Sequence, residues 1–481
     1  MEGNTGLVLA CSLAVSMDAT ALLSAGTGAA SAPVPGAGRS RRITLVSVGS
    51  RGDVQPYVAL GLALRARGHA VTIATEARLE PLVREFGLAF APLVGDSAGV
   101  LFEPAAQAAL HSGSFLSLMR ISAEWEKKWK KADILASYLT ALEGADVVVS
   151  GGLSLTPSLC AAEKLGAAWL PMILGCTLPT REFPLFLLSF LTLGLSCLNR
   201  WTYSLAFGAL WGQEKASVAP WRASLGLPPM LPGGSAAAIA ALRPPVLLAC
   251  SSLVCGPRRA LPEDYPPEAV LGGFAFAPAP AGAALAPELE AFLAAAEAAR
   301  APVIYFGFGS MPAPDPAALH ALALAACAAA GARGVLLAGW SAALPSAGAA
   351  AATLFCAASA PHDALFPRCA ALCHHAGIGT CAAALRAGVP QVPCPVMLDQ
   401  PHNAKLMVAL GVAPGVVPYA GLSATRLGAQ LGAVLGPQGS ELRERARAAA
   451  AHVQRESAAG MLSMCQAVEG AQPPAAWAAR R

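Results

Sequence analysis

Residues 43–75 read ITLVSVGSRGDVQPYVALGLALRARGHAVTIAT, and this stretch decides the fold. Ile43–Val48 is an apolar, β-branched run, which is typical of a strand buried on both faces of a parallel sheet. A polar turn, Gly49–Asp53, follows it, and Pro56–Ala66 carries apolar residues at helical spacing. Ala70–Thr75 is a second buried strand. Strand, turn, helix and strand form a βαβ unit, so the sequence predicts an α/β fold with parallel strands.

The pattern continues along the chain in two series. The first series continues with strands predicted at Val147–Ser150, Ala168–Ile173 and Val246–Cys250. The second series of strands and helices comprises Val303–Phe308, Pro316–Ala330, Gly334–Ala338, Leu354–Cys356, Ala370–His374, Thr380–Ala387, Gln391–Pro395 and Pro401–Leu410. We therefore predict a disordered leader or targeting segment at 1–42, a first domain at 43–276, a linker at 277–300, a second domain at 301–439 and a C-terminal helix and tail at 440–481.

Composition excludes one class of partner. The 481 residues are 55% hydrophobic and 13% charged, and the formal net charge is +4. Because the chain has no long basic run with interleaved aromatic residues, nucleic acid is not expected as a partner.

The longest uncharged stretch, Phe183–Leu198, continues past Arg200 into Trp201–Trp211. Pro184 and Arg200 interrupt it, so we expect a buried or membrane-grazing segment instead of a transmembrane helix, which needs about 20 apolar residues.

The cysteines and the N-terminus indicate the compartment. Thirteen cysteines occur without a Cys-x-x-Cys pair, which predicts reduced thiols in a cytosol-like compartment. The apolar piece Leu7–Val15 is not preceded by a basic residue, so a flexible leader is favoured over a signal or transit segment. We expect a cytoplasmic protein, peripheral to a membrane.

Candidate site residues follow the predicted strands, since ligands of open parallel sheets bind beyond the carboxyl ends of the strands. The strongest signal is His374–Thr380, between a strand and a helix start, where unpaired N–H groups and the helix dipole favour a diphosphate. The residues alone leave a second interpretation about equally good, in which the paired histidines are a satisfied core histidine and a capping histidine. Asp399 and Gln400 suit sugar hydroxyls, and they equally suit the start of a helix with proline in its first turn.

The first-domain loop, Gly49–Asp53, carries the candidate base. A carboxylate facing the cleft could take the proton from an acceptor hydroxyl while the oxygen attacks an anomeric carbon. An aspartate at a helix start is also a good cap, and on spacing alone the catalytic role is the less favoured of the two for Asp53. The chain has no Asp-x-Asp pair for a divalent ion.

Four stretches together resemble the sterol 3β-glucosyltransferases and the related enzymes that glycosylate antibiotic aglycones. They are residues 43–75, FGFGSM at 306–311, SAPHDALFP at 359–367 and HHAGIGTCAAALRAGVPQVPCPVMLDQPHNA at 374–404. The likeness extends from about Arg42 to Leu431. It implies a GT-B fold, in which two Rossmann-like domains face each other across a cleft.

The resemblance also implies roles for individual residues. The first domain would bind the acceptor, with Asp53 as general base and with Ser50 and Arg51 beside it on the acceptor-side loop. The second domain would bind the nucleotide sugar. Its residues matching the family's donor site are Ser310, His375, Gly377, Gly379 and Thr380 for the diphosphate, Asp399 and Gln400 for the sugar, and His362 beside the nucleotide.

Three departures from the family's pattern stand out. The family usually reads His-His-Gly-Gly-Ala-Gly-Thr, whereas this chain has Ala376 and Ile378 at two of the small positions. Ala364 replaces a tryptophan, and Asn403 stands where many members carry an aromatic residue. We expect Ala376 and Ile378 to crowd the phosphate loop.

The resemblance implies an inverting, metal-independent transfer of glucose from UDP-glucose to the 3β-hydroxyl of a sterol. No cofactor is expected beyond the UDP-sugar co-substrate. Residues 183–211 are expected on the apolar acceptor side or at a membrane-facing lip. One alternative is transfer to another lipid or to a polyketide-like aglycone. The other, suggested by Ala364, Ala376 and Ile378, is a nucleotide-sugar-binding protein that has lost turnover.

Overall fold

Two parallel β-sheets organise the chain. The computed structural model describes residues 40–111, 114–279, 284–309, 315–337, 352–437 and 439–478. The first sheet has seven strands in the order β3-β2-β1-β4-β5-β6-β7, and the second has five in the order β10-β9-β8-β11-β12. Every strand pair is parallel. The predicted α/β class with two Rossmann-like sheets is confirmed.

The strands of the first sheet are β1 (Arg42–Val46), β2 (Ala70–Glu76), β3 (Ala89–Leu93), β4 (Val147–Ser150), β5 (Ala168–Ile173), β6 (Val246–Leu248) and β7 (Ala269–Leu271). The strands of the second are β8 (Val303–Gly307), β9 (Arg333–Leu337), β10 (Leu354–Ala357), β11 (Ala371–His374) and β12 (Gln391–Pro393). Their central members are buried along their length, because helices cover both faces of each sheet.

The helices of the first lobe are α1 (Arg51–Ala66), α2 (Glu80–Glu85), α3 (Pro104–His111), α4 (Phe115–Glu126), α5 (Lys131–Leu142), α6 (Leu155–Leu165), α7 (Asn199–Ser224) and α8 (Gly234–Leu242). The remaining helices are α9 (Pro287–Ala298), α10 (Pro316–Ala330), α11 (His362–Leu365), α12 (Ile378–Ala387), α13 (Gln400–Ala409), α14 (Ala424–Leu435), α15 (Gly439–Gly470) and α16 (Ala475–Ala478).

The strand order of each sheet reverses beside its first strand. In the first sheet β1 lies between β2 and β4, and in the second β8 lies between β9 and β11. The loops that leave the two sides of such a reversal diverge, and the crevice between them is the usual ligand site of an open parallel sheet. The loop after β1 leads to Asp53, and the loop after β11 leads to His375. Both predicted motifs therefore lie at the reversal points.

Helix α15 connects the two lobes. Ala446 and Val453 pack in a cluster with residues of α12, whereas Met464 and Val468 join the core of the first sheet. At the crossing, a Cβ on Gly460 would lie 2.2 Å from the backbone of Gly272, so only glycine permits this approach. The chain end thus holds the lobes in contact.

Two edge strands, the start of one helix and one disulfide differ from the sequence prediction. Strands β3 and β7 were not predicted, since both are short edge strands, and β3 contains a proline. Helix α1 begins at Arg51, so Asp53 lies inside its first turn and not before the helix. The prediction that all thiols are reduced is wrong for one pair: Cys176 and Cys255 form a disulfide, because the loops after adjacent strands β5 and β6 bring them together across 79 residues.

Residues 183–211 form a short 3-10 helix, Phe186–Thr192, and the first half of α7. Within the described ranges, no helix combines the length and the apolar character needed to cross a bilayer. Among the side chains of this segment that the structure describes, the exposed large apolar ones are Leu193, Leu195, Trp201 and Leu205. We call these four residues the apolar lip.

Candidate active site

Asp53 is a buried carboxylate held by its own helix start. Its side chain is 6% exposed, and Oδ2 accepts hydrogen bonds from the Ser50 N–H at 2.7 Å and the Ser50 hydroxyl at 3.0 Å. Burial raises the pKa of Asp53 to about 7; the bonds from Ser50 and the charge of Arg78 lower it, and the charge of Glu76 adds to the rise. A carboxyl group with a pKa near neutrality can act as a base at physiological pH.

The loop around Asp53 is fixed from the side of β2. The Arg78 guanidinium donates to the Gly49 carbonyl at 2.8 Å and pairs with Asp96 at 2.9 Å. Glu76 is buried and accepts the Ser97 N–H at 2.6 Å. Ser50, predicted on the acceptor side, is therefore occupied in orienting Asp53, and Arg51 opens α1 with its Nε buried and without a hydrogen-bond partner among the described residues.

A large apolar cavity begins at Asp53. It has a volume of about 460 Å³, within the range of about 300–1,000 Å³ that is usual for small-molecule sites. Asp53 and Tyr57 of α1 form one part of its wall. The 183–211 segment contributes another part through Leu185, Phe186, Leu187, Phe207, Leu210 and Trp211.

The second-lobe loop 374–380 places its two histidines in different roles. His374 is fully buried, with Nε2 at 2.9 Å from Gln391 Oε1 and Nδ1 accepting the Ala376 N–H at 3.1 Å. Burial, with the neighbouring His375, lowers the pKa of His374 to about 3. His374 is thus the satisfied core histidine of the second interpretation. His375 is also buried, and its ring fits only because Gly377 has no side chain, since a Cβ there would lie 2.4 Å from Nε2.

Helix α12 begins directly after these residues, with Gly377 as its N-cap. Gly379 and Thr380 lie in its first turn, which contains no acidic residue. The first intrahelical bond runs from the Cys381 N–H to the Gly377 carbonyl, so the preceding N–H groups of the turn point out of the helix end. This arrangement favours an anion.

Ala376 and Asn403, two of the departures from the family pattern, are in contact. Ala376 adopts a left-handed backbone with φ 63°, a conformation that glycine adopts more readily. The Asn403 amide donates to the Ala376 carbonyl at 3.0 Å and to Asp399 Oδ2 at 2.7 Å. Asn403 therefore ties the loop after β11 to the loop after β12.

Asp399 and Gln400 lie at the start of α13 and are both buried. Burial raises the pKa of Asp399 well above its usual range; the Asn403 bond opposes this rise and the charge of Asp53 adds to it. Gln400 Oε1 accepts the N–H groups of Val396 and Met397 at 2.8 and 3.3 Å. The Asp399 side chain makes no capping bond at this helix start.

The two lobes meet at these loops. A small cavity of about 40 Å³ is lined by Gly52, Gln55 and Pro56 of α1 and by Ile378, Gly379 and Ala382 of α12. Ile378 thus faces the opposite lobe. The charge of Asp53 also acts on Asp399, so the carboxylate of the first loop and one residue of the predicted sugar-binding pair influence each other electrostatically.

Two predicted donor residues stand apart from this arrangement. His362 is buried in α11, where it stacks on Phe366 at 4.2 Å and its Nε2 lies 3.3 Å from the Tyr305 hydroxyl. These contacts belong to the core of the second lobe, and a nucleotide contact by His362 stays a prediction. Ser310 lies outside the described residues.

Both halves of the chain match known families. Residues 43–172 match the glycosyltransferase family 28 N-terminal domain, and residues 342–462 match the erythromycin biosynthesis protein CIII-like, C-terminal domain. The chain is 33% identical over 393 residues to O-mycaminosyltylonolide 6-deoxyallosyltransferase of Streptomyces fradiae, an alignment that covers 81% of this chain and 89% of that enzyme. The chain belongs to the family of glycosyltransferases with a family 28 N-terminal domain and an erythromycin CIII-like C-terminal domain.

A second group of relatives carries a different name. The chain is 32% identical over 387 residues to a sterol 3-beta-glucosyltransferase of Penicillium rubens, covering 77% of this chain and 26% of that protein. It therefore spans about a quarter of the length of that relative. The resemblance to the wider family is confirmed. The identities of 33% and 32% to the two kinds of relative are nearly equal, so sequence identity does not distinguish a macrolide from a sterol as the acceptor.

Solved structures share the fold of this glycosyltransferase. The glycotransferase of kitacinnamycin superposes with a TM-score of 0.64 at 20% identity, covering 90% of this chain and 99% of that one. VinC in complex with dTDP superposes with a TM-score of 0.56 at 20% identity, covering 88% and 99%. At this identity the likeness establishes the fold alone. As a member of its family, this glycosyltransferase uses a nucleotide sugar as co-substrate.

The structure of this glycosyltransferase adds one candidate site residue that sequence reasoning missed. Gln55 is 2% exposed, and neither of its amide atoms has a hydrogen-bond partner among the described residues. It lies four residues after Arg51, on the same face of α1, which was a signal available in the sequence.

Among the described residues, the three metal-ligating side chains that come together are Cys176, Cys250 and Cys255, two of which form the disulfide.

Proposed function

We propose that this glycosyltransferase transfers glucose from UDP-glucose to a hydroxyl of an apolar acceptor, with inversion at the anomeric carbon and without a metal ion. The 3β-hydroxyl of a sterol is the first candidate. The observation that carries the proposal is the position of Asp53, a buried carboxylate with a pKa near 7 that lies in the wall of a large apolar cavity and beside the sugar-site loop.

In the proposed reaction Asp53 removes the proton of the acceptor hydroxyl. The acceptor oxygen forms a bond to the anomeric carbon while the bond from that carbon to the diphosphate oxygen breaks, and the electron pair leaves with UDP. The first-turn N–H groups of α12, with His375 beside them, stabilise the charge that develops on the diphosphate. Residues predicted for the diphosphate, Gly377, Gly379 and Thr380, serve by leaving this approach open.

Residues of both lobes would hold the sugar. Asp399 accepts from sugar hydroxyls, and the Gln400 amide, oriented through its oxygen, lies beside it. Gln55 faces the start of α12 across the small cavity and supplies one donor and one acceptor from the opposite lobe. An unpaired buried amide costs about 1–3 kcal/mol, so a bound donor that pairs Gln55 recovers this cost.

The acceptor would enter through the 183–211 segment. Its inner side chains line the cavity, and its outer ones form the apolar lip, in which Leu193 is 86% exposed. Exposed apolar patches of this kind mark contacts with membranes or ligands. Peripheral contact with a lipid surface is therefore part of the proposal. A polyketide-like aglycone is the second candidate, favoured by the Streptomyces fradiae relative.

The experiment compares donors and acceptors directly. Purified protein is incubated with labelled UDP-glucose or TDP-glucose and with a sterol or a macrolide aglycone. Replacing Asp53 by Asn is expected to lower kcat about 10²–10⁴-fold, the usual contribution of a general base. Asp133→Asn, which changes an exposed carboxylate, serves as the matched control.

Each outcome decides one part of the proposal. Equal product from the unmodified chain and Asp53→Asn would remove Asp53 from the mechanism. Nucleotide-sugar binding without product from any acceptor would favour the protein that has lost turnover.

A further inference from the structure

The acceptor cavity contains a second carboxylate that the proposed reaction does not use. Glu214 lies on α7, and its side chain lines the cavity whose wall also includes Asp53. Thr156 Oγ1 donates to Glu214 Oε2 at 2.6 Å. Burial raises the pKa of Glu214, whereas the Thr156 bond and the charge of Lys131 lower it.

Acidic groups outnumber basic groups in the cavity wall. Four carboxylates and two guanidinium groups line it. Arg200 lies 3.9 Å from Asp264, and Arg243 lies 2.7 Å from Glu268, so both cations have a carboxylate partner. Asp53 and Glu214 are the carboxylates that remain.

No cation of the described residues lies within ion-pair distance of Glu214. Lys131, whose charge acts on it, is 3.7 Å from Glu126 instead. An apolar acceptor that fills the cavity excludes solvent from Glu214, and a carboxylate enclosed without a compensating partner is costly.

A protonated amine on the acceptor would remove that cost. It would provide a charge-assisted hydrogen bond to Glu214 and would compensate the excess of carboxylates in the wall. A neutral sterol would offer Glu214 no such partner. Asp53 on α1 and Glu214 on α7 line the same cavity, so a molecule that fills it can present its hydroxyl to the first and its amine to the second.

We propose that Glu214 forms a recognition site for a protonated amine, so that among apolar, hydroxyl-bearing acceptors the cavity prefers those that carry an amine. This inference rests on the proposed function insofar as the cavity is the acceptor site. It does not depend on turnover, because it concerns binding alone.

The test uses a pair of probes that differ in one charge. The first is a 3β-hydroxysteroid with a primary amine at the end of its side chain, and the second is the N-acetylated form of the same molecule. Their Kd values are measured by fluorescence titration without nucleotide at pH 7. The unmodified chain is expected to bind the amine about 10–100-fold more tightly, which is the usual size of a charged hydrogen bond.

Two variants locate the effect. Glu214→Gln keeps an acceptor for Thr156 and is expected to bind both probes about equally. Glu143→Gln, which changes the total charge by the same amount at an exposed carboxylate outside the cavity lining, is expected to keep the preference. A preference that survives in Glu214→Gln, or disappears equally in both variants, overturns the proposal.

A transferase assay separates this inference from the proposed function. Glucosylation of a neutral sterol by a chain that shows no preference for the amine would retain the transferase and overturn the amine site. Failure of both probes to bind would overturn the amine site too. A preference for the amine without any product would support the amine site and would contradict only the transferase proposal.

Discussion

The two strand-to-helix turns that meet in the cleft have the same architecture and opposite chemistry. Each leaves a strand beside the reversal point of its sheet, and each opens a helix, α1 after Ser50 and α12 after Gly377. The third helical residue is Asp53 in the first turn and Thr380 in the second. Asp53 accepts the Ser50 N–H, so α1 neutralises its own helix start. Helix α12 has no acid in its first turn and keeps that start available.

The difference shows how one residue type decides what a helix start can do. A carboxylate at the third position accepts the N–H of the residue before the helix and opposes the helix dipole, and here it also lies in the cavity wall. A threonine at the same position leaves the N–H groups for an external anion.

Exchanging this residue is expected to have the largest effect. Thr380→Asp would recreate in α12 the cap of α1, so UDP is expected to bind about 100-fold more weakly, because a carboxylate replaces the anion and repels it. Isothermal titration calorimetry with UDP measures the change. Thr380→Val is the control, since it removes the hydroxyl without adding charge. If both variants bind UDP equally, the first turn of α12 is not the anion site.

Loss of the hydrogen bonds by which Asn403 joins Ala376 to Asp399 is expected to weaken donor binding less than Thr380→Asp does. Asn403→Leu removes the hydrogen bonds to Ala376 and Asp399, and it is expected to raise the KM for UDP-glucose about 10-fold with a smaller change in kcat. Steady-state kinetics measure the split.

Asn199→Leu provides a matched control for this link. Asn199 and Asn403 are each 5% exposed, and Asn199 donates to the Arg181 carbonyl at 2.9 Å. An equal rise of KM in Asn199→Leu would mean that general loosening of the fold, and not the link to Asp399, changes donor binding.

The first turn can be probed by pH. Asp53 acts as a base only when ionised, and burial raises its pKa to about 7, so kcat/KM is expected to rise with pH through a midpoint near 7. The charge of Glu76 adds to that pKa, so Glu76→Gln should move the midpoint to lower pH. The exposed pair residue Glu80 gives the control Glu80→Gln, with no shift. A profile that falls with rising pH would contradict a carboxylate base.

Ala376 should give the smallest effect. Its left-handed backbone costs about 1–2 kcal/mol, whereas its buried methyl group contributes about 0.8 kcal/mol, so Ala376→Gly is expected to stabilise the fold by about 0.5 kcal/mol. Urea unfolding measures the difference. Ala383→Gly in the middle of α12 is the control and should destabilise by about 1 kcal/mol. Destabilisation by Ala376→Gly would mean that the methyl contact outweighs the strain.

Much of this enzyme was predictable from local sequence. The run from Ile43 to Thr75 and the run from Cys369 to Pro395 determine strand, turn and helix through apolar periodicity, and the polar residues after each strand mark the site. These signals are local, because the period of a strand or helix is read within about ten residues. Local signals therefore point to Asp53, His375 and Asp399 as candidates, and by themselves they do not distinguish His374, which is a core residue, from His375.

The remainder required contacts between distant segments. Residue spacing does not reveal that Cys176 reaches Cys255, that Asn403 holds both Ala376 and Asp399, or that Glu214 and Asp53 share one cavity. Each of these depends on which loops the sheet order places side by side and on how α15 draws the lobes together. The sequence by itself determined two Rossmann-like lobes and the residues of two helix starts. Only the tertiary structure decided which side chains face one another, because packing and burial act between residues far apart in the chain.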